Sequence, residues 1–305
     1  MDSTFQVGVI GLGSMGMGAA LSCLRSGLAT WGADLNPAAR QTLLDAGARG
    51  VAENAQSFAA TLDAVLLLVV NARQVKEILF GEQGIAGCLK PGCAVMVSST
   101  LSAGDAREIA TRLEQQQLLA LDAPVSGGSV KAAAGEMTVM ASGSDRAFAV
   151  LQPVLDAIAA RVYRISDKPG DGATVKIIHQ LLAGVHIAAG AEAMALAARA
   201  GIPLDVMYDV VTHAAGNSWM FENRMRHVVD GDYTPHSAVD IFVKDLGLVT
   251  DTGKDLHFPL PLAATAFTMF TQASAAGFGP QDDSAVIKIF PGIQLPGDDT
   301  DEQGA

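Results

Sequence analysis

Residues 5–34, FQVGVIGLGSMGMGAALSCLRSGLATWGAD, decide how the first half of this chain folds. They hold two apolar runs, at 5–10 and 28–34, separated by an Ala-rich segment in which apolar residues recur at helical spacing. Between the first run and the helical segment lies a turn made of Gly11, Leu12, Gly13, Ser14, Met15 and Gly16. A strand, a tight glycine turn, a helix and a second strand form the unit from which parallel α/β sheets are built.

Apolar runs and helical segments continue to alternate up to about residue 168. Several of the runs are continuously apolar, which is typical of strands covered on both faces. Further strands are predicted at 64–70, 94–98, 118–122, 137–141 and 162–165, and the predicted helices include 14–26, 37–46 and 103–116. This alternation predicts a Rossmann-type, doubly wound parallel sheet in an N-terminal domain spanning 1–168.

The pattern changes after Pro169, where Ala and Leu become dense and strand-like runs stop. Helical periodicity begins near Asp171 with one long segment and continues through turns that contain Gly and Pro. We therefore predict that the α/β domain is followed by an all-α domain over 169–290, beginning with a long interdomain helix. Residues 291–305 combine Pro and Gly with several acidic residues, which indicates a flexible tail.

The composition excludes several classes of function. Half of the 305 residues are hydrophobic, enough for a large core, and the net charge is −12. Because a negative surface repels phosphate backbones and anionic lipids, we expect no nucleic-acid partner and no membrane partner. Three cysteines without a CxxC pair and six histidines without metal-ligand spacing predict a reduced, cytoplasmic protein without a metal site.

Two segments bear on targeting. The N-terminus reaches the glycine turn with no basic segment ahead of an apolar one, so we predict no signal peptide. The most apolar stretch, 177–200, is interrupted by charged and polar residues. We interpret this stretch as a helix buried between packed surfaces rather than as a membrane span.

The glycine turn has the spacing GxGxxG, and its position between a strand and a helix predicts a dinucleotide site. Gly11 permits the tight turn, Gly13 lets the backbone approach a pyrophosphate, and Gly16 lets the helix pack against the strand. The helix N-terminus offers N–H groups and a partial positive charge to the phosphates. We assign all six residues of the turn to cofactor binding, with a purely structural glycine turn as the alternative.

Further cofactor contacts are predicted at the ends of the next strands. Asp34 closes the second strand, where a carboxylate binds the ribose hydroxyls of NAD and repels the 2′-phosphate of NADP. NAD is therefore the preferred cofactor, unless Asp34 is only a helix cap. Val70, Asn71 and Thr100 also follow parallel strands, and ligands collect in the crevice at that edge of a sheet.

A second turn, Ser126-Gly127-Gly128, follows the strand predicted to end at Asp122. Consecutive N–H groups in such a turn can hold an anion, and the Ser126 hydroxyl can donate a further hydrogen bond. These three residues are candidates for binding a substrate carboxylate. A structural turn is the alternative.

Lys176 lies near the start of the long apolar helix, with apolar residues on both sides. Burial depresses the pKa of a lysine towards neutrality, which suits proton transfer at neutral pH. Gln180 lies one helical turn later on the same face and can hydrogen-bond a substrate oxygen. A lysine that extends to solvent is the alternative.

Together these segments resemble the β-hydroxyacid dehydrogenase family, which includes 3-hydroxyisobutyrate and 6-phosphogluconate enzymes. The resemblance rests on Gly11–Gly16, Asp122–Gly128, Gly172–Lys176 and Lys244-Asp245-Leu246. It implies that Lys176 is the general acid/base and that Ser126, Gly127 and Gly128 anchor the substrate carboxylate. It further implies that Thr100 and Lys244 contact the nicotinamide end of the cofactor and that Asp245 helps to fix the site. The family usually has Asn where this chain has Gln180.

A finer likeness, carried by 175–186, 217–224 and 239–248, is to the branch of the family that acts on L-threonate. It implies oxidation of the C2 hydroxyl to 2-oxo-tetronate. Other small hydroxy acids remain open, among them 3-hydroxyisobutyrate, D-glycerate and tartronate semialdehyde, as does a dinucleotide-binding module without catalysis. An imine reductase is disfavoured because such relatives lack the lysine. The apolar helices predict association into a homodimer or homotetramer.

Overall fold

The computed structural model describes residues 5–297. The chain divides into two compact units, Met1–Ile177 and Ile178–Ala305. The boundary predicted at residue 168 lies shortly before this division. Of the predicted tail, residues 298–305 lie outside the described part of the chain.

The first unit alternates strands and helices. Its strands are β1 (Gln6–Ile10), β2 (Ala29–Ala33), β3 (Gly50–Ala52), β4 (Ala64–Leu67), β5 (Ala94–Val97), β6 (Leu119–Asp122), β7 (Val125–Ser126), β8 (Met137–Gly143) and β9 (Ala159–Ser166). Its helices are α1 (Ser14–Arg25), α2 (Pro37–Asp45), α3 (Gln56–Ala59), α4 (Ala72–Phe80), α5 (Ala103–Glu114), α6 (Gly128–Ala134) and α7 (Asp145–Ile158).

The strands form one sheet in the order β3-β2-β1-β4-β5-β6-β8-β7, and β9 pairs with β8. The first six strands in this order are parallel, and β8 runs antiparallel to β6. The order reverses between β1 and β4, which is the crevice where doubly wound sheets bind ligands. The predicted α/β fold of the N-terminal half is confirmed.

Apolar side chains cover both faces of the sheet. In β4, Ala64 and Leu66 belong to one buried cluster, whereas Val65 and Leu67 belong to another. Since successive strand residues point to opposite faces, one continuous apolar run supplies both clusters. This explains why the runs in the sequence are continuous rather than alternating.

The structure differs from the predicted elements in several places. Strand β4 ends at Leu67 rather than at residue 70, because Asn71 caps helix α4 by accepting a hydrogen bond from the Gln74 N–H at 3.0 Å. The short strands β3 and β7 were not predicted, since three or two residues carry no periodicity. Strand β8 extends beyond its predicted end to Gly143, and β9 begins before its predicted start, at Ala159.

The second unit is helical. Helix α8 (Asp171–Arg199) begins in the first unit and continues into the second, where it is followed by α9 (Leu204–Thr212), α10 (Trp219–Asp230), α11 (Val239–Asp255) and α12 (Pro261–Ala273). Within residues 178–297 no strand is found apart from a single bridge between Ala238 and Asp282. The predicted all-helical C-terminal region is confirmed.

Helix α8 is long and apolar enough to cross a membrane by length and composition alone, but half of its most apolar window is buried inside the protein. Core helices pass the same criterion. Glycines on α8 allow close packing within the second unit. A Cβ at Gly184 would lie 2.9 Å from the Leu246 side chain, and one at Gly190 would lie 3.1 Å from that of Phe221.

Candidate active site

The glycine turn has the backbone geometry that the sequence predicts. Gly11 has φ +89°, and a Cβ there would lie 2.7 Å from the Leu68 carbonyl oxygen. A Cβ at Gly16 would lie 1.7 Å from the Gly11 carbonyl oxygen, so any larger residue would displace the turn. A Cβ at Gly13 would meet no described atom within 4 Å. The first and last glycines are thus needed for packing, whereas Gly13 faces open space.

Asp34 is held next to this turn. Its Oδ2 accepts a hydrogen bond from the Leu12 N–H at 2.6 Å, and its Oδ1 accepts one from the Asn36 N–H at 2.7 Å. Asn36, rather than Asp34, caps helix α2, where its side chain accepts from the Ala38 N–H. The Arg40 guanidinium donates to the Asp34 carbonyl oxygen at 2.7 Å, a contact that the sequence did not predict. These bonds orient the Asp34 carboxylate beside the backbone of the glycine turn.

Two buried hydroxyls lie where β5 ends. Ser98 and Ser99 are about 95% buried, and the described residues offer no hydrogen-bond partner to either side-chain oxygen. Thr100, a predicted cofactor contact, follows directly. Val70 and Asn71 belong to the segment that caps helix α4, since the Val70 N–H donates to Gln74 Oε1 at 2.8 Å. The ends of β1, β4 and β5 share one edge because these strands are parallel.

This edge fits a dinucleotide. Gly13 is the N-cap of helix α1 and supplies no side-chain cap, and the space where its Cβ would lie is open. The first N–H groups of a helix have no partner within the helix. Backbone N–H groups at a helix start bind phosphate, and a neighbouring carboxylate binds ribose. The hydroxyls of Ser98 and Ser99, which have no hydrogen-bond partner among the described residues, can supply further polar contacts at the end of β5. The residues present can therefore hold a nicotinamide dinucleotide.

The predicted carboxylate-binding turn follows β7. Gly127 and Gly128 have φ values of +134° and +70°, conformations that residues with a Cβ rarely adopt. A Cβ at Gly127 would also lie 2.8 Å from the Lys131 side chain. Ser126 is half-buried at the start of this turn. Glycine is therefore required here for the backbone path itself.

Lys176 lies in the second turn of helix α8 and is 6% exposed, as the apolar sequence around it predicts. The start of this helix is bonded to strands β6 and β8 of the same unit. Asp122 Oδ2 accepts from the Gly170 N–H and the Ala173 N–H, both at 2.9 Å. The Ser142 hydroxyl donates a hydrogen bond to Asp122 Oδ2 and accepts one from the Gly172 N–H of helix α8.

The second unit brings together three predicted site residues. Gln180 Nε2 donates to Asp245 Oδ2 at 2.5 Å, and the Lys244 ammonium donates to Asp245 Oδ1 at 2.5 Å. Asp245 is 2% exposed, and Gln180 is also buried. The His179 Nδ1–H donates to Gln180 Oε1 at 3.0 Å, so both ends of the Gln180 amide are engaged. The predicted contact between Gln180 and the substrate remains a prediction.

Sequence reasoning assigned no role to several of these groups. Asp122 was recognised as a strand end and as the first residue of a family motif, and Ser142, Ser98 and Ser99 were given no role. The second unit also holds a buried ion pair that was not predicted, between Arg224 Nε and Asp283 Oδ1 at 2.6 Å. Burial raises the pKa of Asp283 to about 7, although the guanidinium favours the charged form. None of these residues carries a local pattern that reveals its partner.

A metal centre is not formed by the described part of the chain: within residues 5–297, no three His, Cys, Asp or Glu side chains lie close enough together to hold an ion. The cysteines there are unpaired, and Cys23 and Cys93 are buried. Burial raises the pKa of both of these thiols to about 12, so they are poor nucleophiles.

Family models match almost the whole described chain. The NAD-binding domain of 6-phosphogluconate dehydrogenase matches residues 6–166. A model described as the NAD-binding domain of NADP-dependent 3-hydroxyisobutyrate dehydrogenase matches residues 170–290. An NAD(P)-binding domain is therefore present, and the models do not distinguish the two cofactors.

Similar proteins extend this match over the full length. An L-threonate dehydrogenase of Escherichia coli K12 is 76% identical over 97% of this chain and 98% of its own. One from Cupriavidus necator is 56% identical over 95% of this chain and 98% of its own. The crystal structure of a 3-hydroxyisobutyrate dehydrogenase from Salmonella typhimurium is 73% identical, has a TM-score of 0.91, and is matched over 94% of this chain and 100% of that one.

These relatives are named as dehydrogenases of small hydroxy acids, and the fold agrees with that of the Salmonella typhimurium structure. The chain is therefore an oxidoreductase that acts on a CH–OH group. This chain belongs to the β-hydroxyacid dehydrogenase family, with L-threonate dehydrogenases among its similar relatives.

Proposed function

We propose that this enzyme oxidises L-threonate at the C2 hydroxyl with NAD, giving 2-oxo-tetronate. The observation that carries the proposal is the buried Lys176, which shares one unit with a glycine turn suited to a carboxylate. The name L-threonate dehydrogenase, borne by relatives that are 56% to 76% identical, supports the choice of acid.

The names of the similar proteins disagree on the substrate, since the Salmonella typhimurium protein is called a 3-hydroxyisobutyrate dehydrogenase. The two acids differ in polarity: L-threonate carries further hydroxyls, whereas 3-hydroxyisobutyrate carries a methyl group. His179 and Gln180 follow Lys176 on its helix, and both are polar. Polar groups near the lysine suit a hydroxylated acid, which favours L-threonate.

The roles of the chain's own residues follow from their chemistry. Lys176 accepts the C2 hydroxyl proton as the general base. The Ser126 hydroxyl and the N–H groups of Gly127 and Gly128 donate hydrogen bonds to the substrate carboxylate. These bonds fix which carbon of the substrate reacts. The cofactor, when bound, accepts the hydride at nicotinamide C4.

The cofactor is held by Gly11–Gly16 and by Asp34, and, as the family resemblance implies, by Thr100 and Lys244. Asp34 disfavours NADP because a 2′-phosphate would lie against its carboxylate. If this is correct, Asp34→Ser will lower the ratio of kcat/KM for NAD to that for NADP by about tenfold or more. The Arg40 guanidinium, bonded to the Asp34 backbone, is then available to the phosphate. An unchanged ratio would remove Asp34 from cofactor selection.

Association into a homodimer or homotetramer belongs to the same proposal, as does a cytoplasmic location. Helix α8 exposes Ile178, Leu182 and Leu196, each more than half accessible in the single chain. Exposed apolar side chains repeated along one helix are typical of a subunit interface. Light scattering of the purified protein determines its mass in solution.

A panel of acids tests the proposed substrate. Purified protein is mixed with NAD and with L-threonate, D-threonate, D-erythronate, D-glycerate or 3-hydroxyisobutyrate, and NADH formation is followed by absorbance. We expect turnover with L-threonate and little with the other acids. Turnover with a different acid would keep the mechanism and reject the substrate, whereas NAD binding without any turnover would favour a dinucleotide-binding module.

A further inference from the structure

Helix α8 begins against the sheet of the first unit, and side chains rather than a helical turn satisfy its first N–H groups. Asp122 Oδ2 accepts hydrogen bonds from the Gly170 N–H and the Ala173 N–H, both at 2.9 Å. The Ser142 hydroxyl accepts from the Gly172 N–H at 3.0 Å and donates to Asp122 Oδ2 at 3.1 Å. The N–H groups at a helix start otherwise lack partners, so these bonds hold the helix end in place.

The two side chains come from different strands and are buried. Asp122 ends β6 and is 5% exposed, and Ser142 lies in β8 and is fully buried. Burial raises the pKa of Asp122, while the hydrogen bonds from Ala173, Gly170 and Ser142 oppose this effect. A buried carboxylate with this many donors is held in one orientation.

The backbone of α8 also touches these strands directly. A Cβ at Gly172 would lie 2.6 Å from the Met140 carbonyl oxygen and 2.8 Å from the Asp122 carbonyl oxygen. The helix start therefore has no room to shift towards the sheet, and the hydrogen bonds prevent it from moving away. Both constraints act on Gly172, which lies four residues before Lys176 on the same helix.

Asp122 is also near the predicted carboxylate turn along the chain. Only Ala123, Pro124 and Val125 separate it from Ser126. The segment Asp122–Gly128 therefore has two roles. Its first residue, Asp122, bonds the start of helix α8, and its last three residues form the proposed carboxylate-binding turn. A small change in the separation of the lysine and the turn would misalign the reacting hydroxyl.

We propose that Asp122 and Ser142 are positioning residues, which set the place of Lys176 relative to the Ser126–Gly128 turn and so control the rate of proton transfer. The inference rests on the function proposed above, since it takes Lys176 as the general base. A role in stability alone is the alternative, because loss of any helix cap destabilises a protein.

The chain offers a matched control for that alternative. Ser144 lies just after β8 and caps helix α7 by accepting a hydrogen bond from the Ala147 N–H at 3.2 Å. The substitutions Ser142→Ala and Ser144→Ala each remove one serine hydroxyl, at positions two residues apart. Of these two hydroxyls, only that of Ser142 bonds helix α8. Both variants should lower the unfolding temperature, and only Ser142→Ala should change catalysis.

The experiment measures kcat, the KM of each substrate and the unfolding temperature of the full-length enzyme, with whichever acid of the panel it oxidises. We expect Ser142→Ala to lower kcat about tenfold and Asp122→Ala about 10²-fold, as for small misplacements of a catalytic group, with the KM for NAD unchanged. Asp122→Asn, which keeps an acceptor oxygen, should recover part of the loss. Ser144→Ala should keep kcat within about twofold of the wild type.

Equal losses of kcat in the two serine variants, or an unchanged kcat in Ser142→Ala, would overturn the inference even if Asp122→Ala does not fold. Amide hydrogen exchange supplies a readout without turnover: exchange over 170–177 should accelerate in Ser142→Ala and not in Ser144→Ala. Absence of that acceleration would also overturn it. A wild-type enzyme that is inactive on the whole panel, or a Lys176→Ala variant with normal kcat, would instead reject the proposed function.

Discussion

The Gly11–Gly16 turn and the hydrogen-bonded group of His179, Gln180, Lys244 and Asp245 differ in how they are built. In the turn, the backbone forms the proposed site, and a Cβ at Gly16 would lie 1.7 Å from a carbonyl oxygen. In the second group, side chains form the arrangement, and Gln180 bonds Asp245 from a different helix. We call this second arrangement the polar group.

This difference explains how much of each region can be predicted from the amino-acid sequence. A glycine imposed by backbone contact appears in the sequence at a fixed spacing, because no other residue fits. A buried amide or carboxylate is specified by a partner that is distant in the chain, so its role appears only with the tertiary structure. Substitutions in the two regions should therefore differ in their effects on stability, cofactor binding and catalysis.

The largest effect is expected inside the turn itself. Gly16→Ala should cost at least about 4 kcal/mol of unfolding free energy, because its Cβ cannot avoid the Gly11 carbonyl oxygen. Gly13→Ala is the matched control, with no described atom within 4 Å of the added carbon. It should fold within about 1 kcal/mol of the wild type yet bind NAD at least tenfold more weakly. Denaturant unfolding and NADH fluorescence measure both effects, and equal stability losses would contradict the assignment.

Removal of the carboxylate from the polar group comes next. Asp245→Ala should lower the unfolding free energy by about 3 kcal/mol, because it leaves the Lys244 ammonium and the Gln180 amide without their buried acceptor. Asp251 on the same helix pairs with Lys254 at 2.8 Å, but both are exposed. Asp251→Ala should hardly change thermal unfolding. Similar losses of unfolding free energy in Asp245→Ala and Asp251→Ala would show that the buried polar group contributes little to stability.

The Arg224–Asp283 pair should make stability depend on pH. Burial raises the pKa of Asp283 to about 7, so the folded state retains a proton that the unfolded chain releases near pH 4. The free energy of unfolding should therefore fall as pH rises from about 4 to 7. Asp283→Asn cannot titrate and should flatten this decrease, whereas Asp251→Asn should leave it in place. Urea unfolding at several pH values tests it, and parallel curves for wild type and Asp283→Asn would refute the assignment.

The smallest effect is expected at the amide of the polar group. Gln180→Asn shortens the side chain by one methylene, so it cannot keep both its bond to Asp245 and its bond from His179. We expect kcat/KM for L-threonate to fall about tenfold, equivalent to 1.4 kcal/mol. The lost buried hydrogen bond should also lower the unfolding free energy by about 1 kcal/mol. Wild-type kinetics in Gln180→Asn would remove this amide from substrate selection.

Much of the first unit could be predicted from its sequence. Strands β1, β4 and β5 were recognised because they are buried on both faces and therefore continuously apolar. The end of β4 was misplaced, because the cap made by Asn71 competes with the strand and carries no apolar signal. The role of the Asp34 carboxylate in cofactor binding stays a prediction. The Arg40 contact with the Asp34 backbone was not predicted, since a side chain can fold back across several residues.

The second unit could be predicted only as a set of helices. On the helix that enters it, Lys176, which lies in the first unit, was predicted as a site residue from its apolar neighbours, and Gln180 was predicted from its helical spacing from the lysine. Neither pattern reveals that Gln180 bonds Asp245, or that Arg224 pairs with Asp283 across a long stretch of chain. The anchoring of α8 by Asp122 was missed for the same reason, because strand ends and helix starts are connected only after folding.

The most direct test of the central claim is the turnover number of Lys176→Ala with L-threonate and NAD, measured beside its affinity for NADH. If Lys176 is the general base, kcat should fall by about 10²- to 10⁴-fold while NADH binds as it does to the wild type. A variant that binds NADH and oxidises L-threonate at close to the wild-type rate would contradict the proposed mechanism.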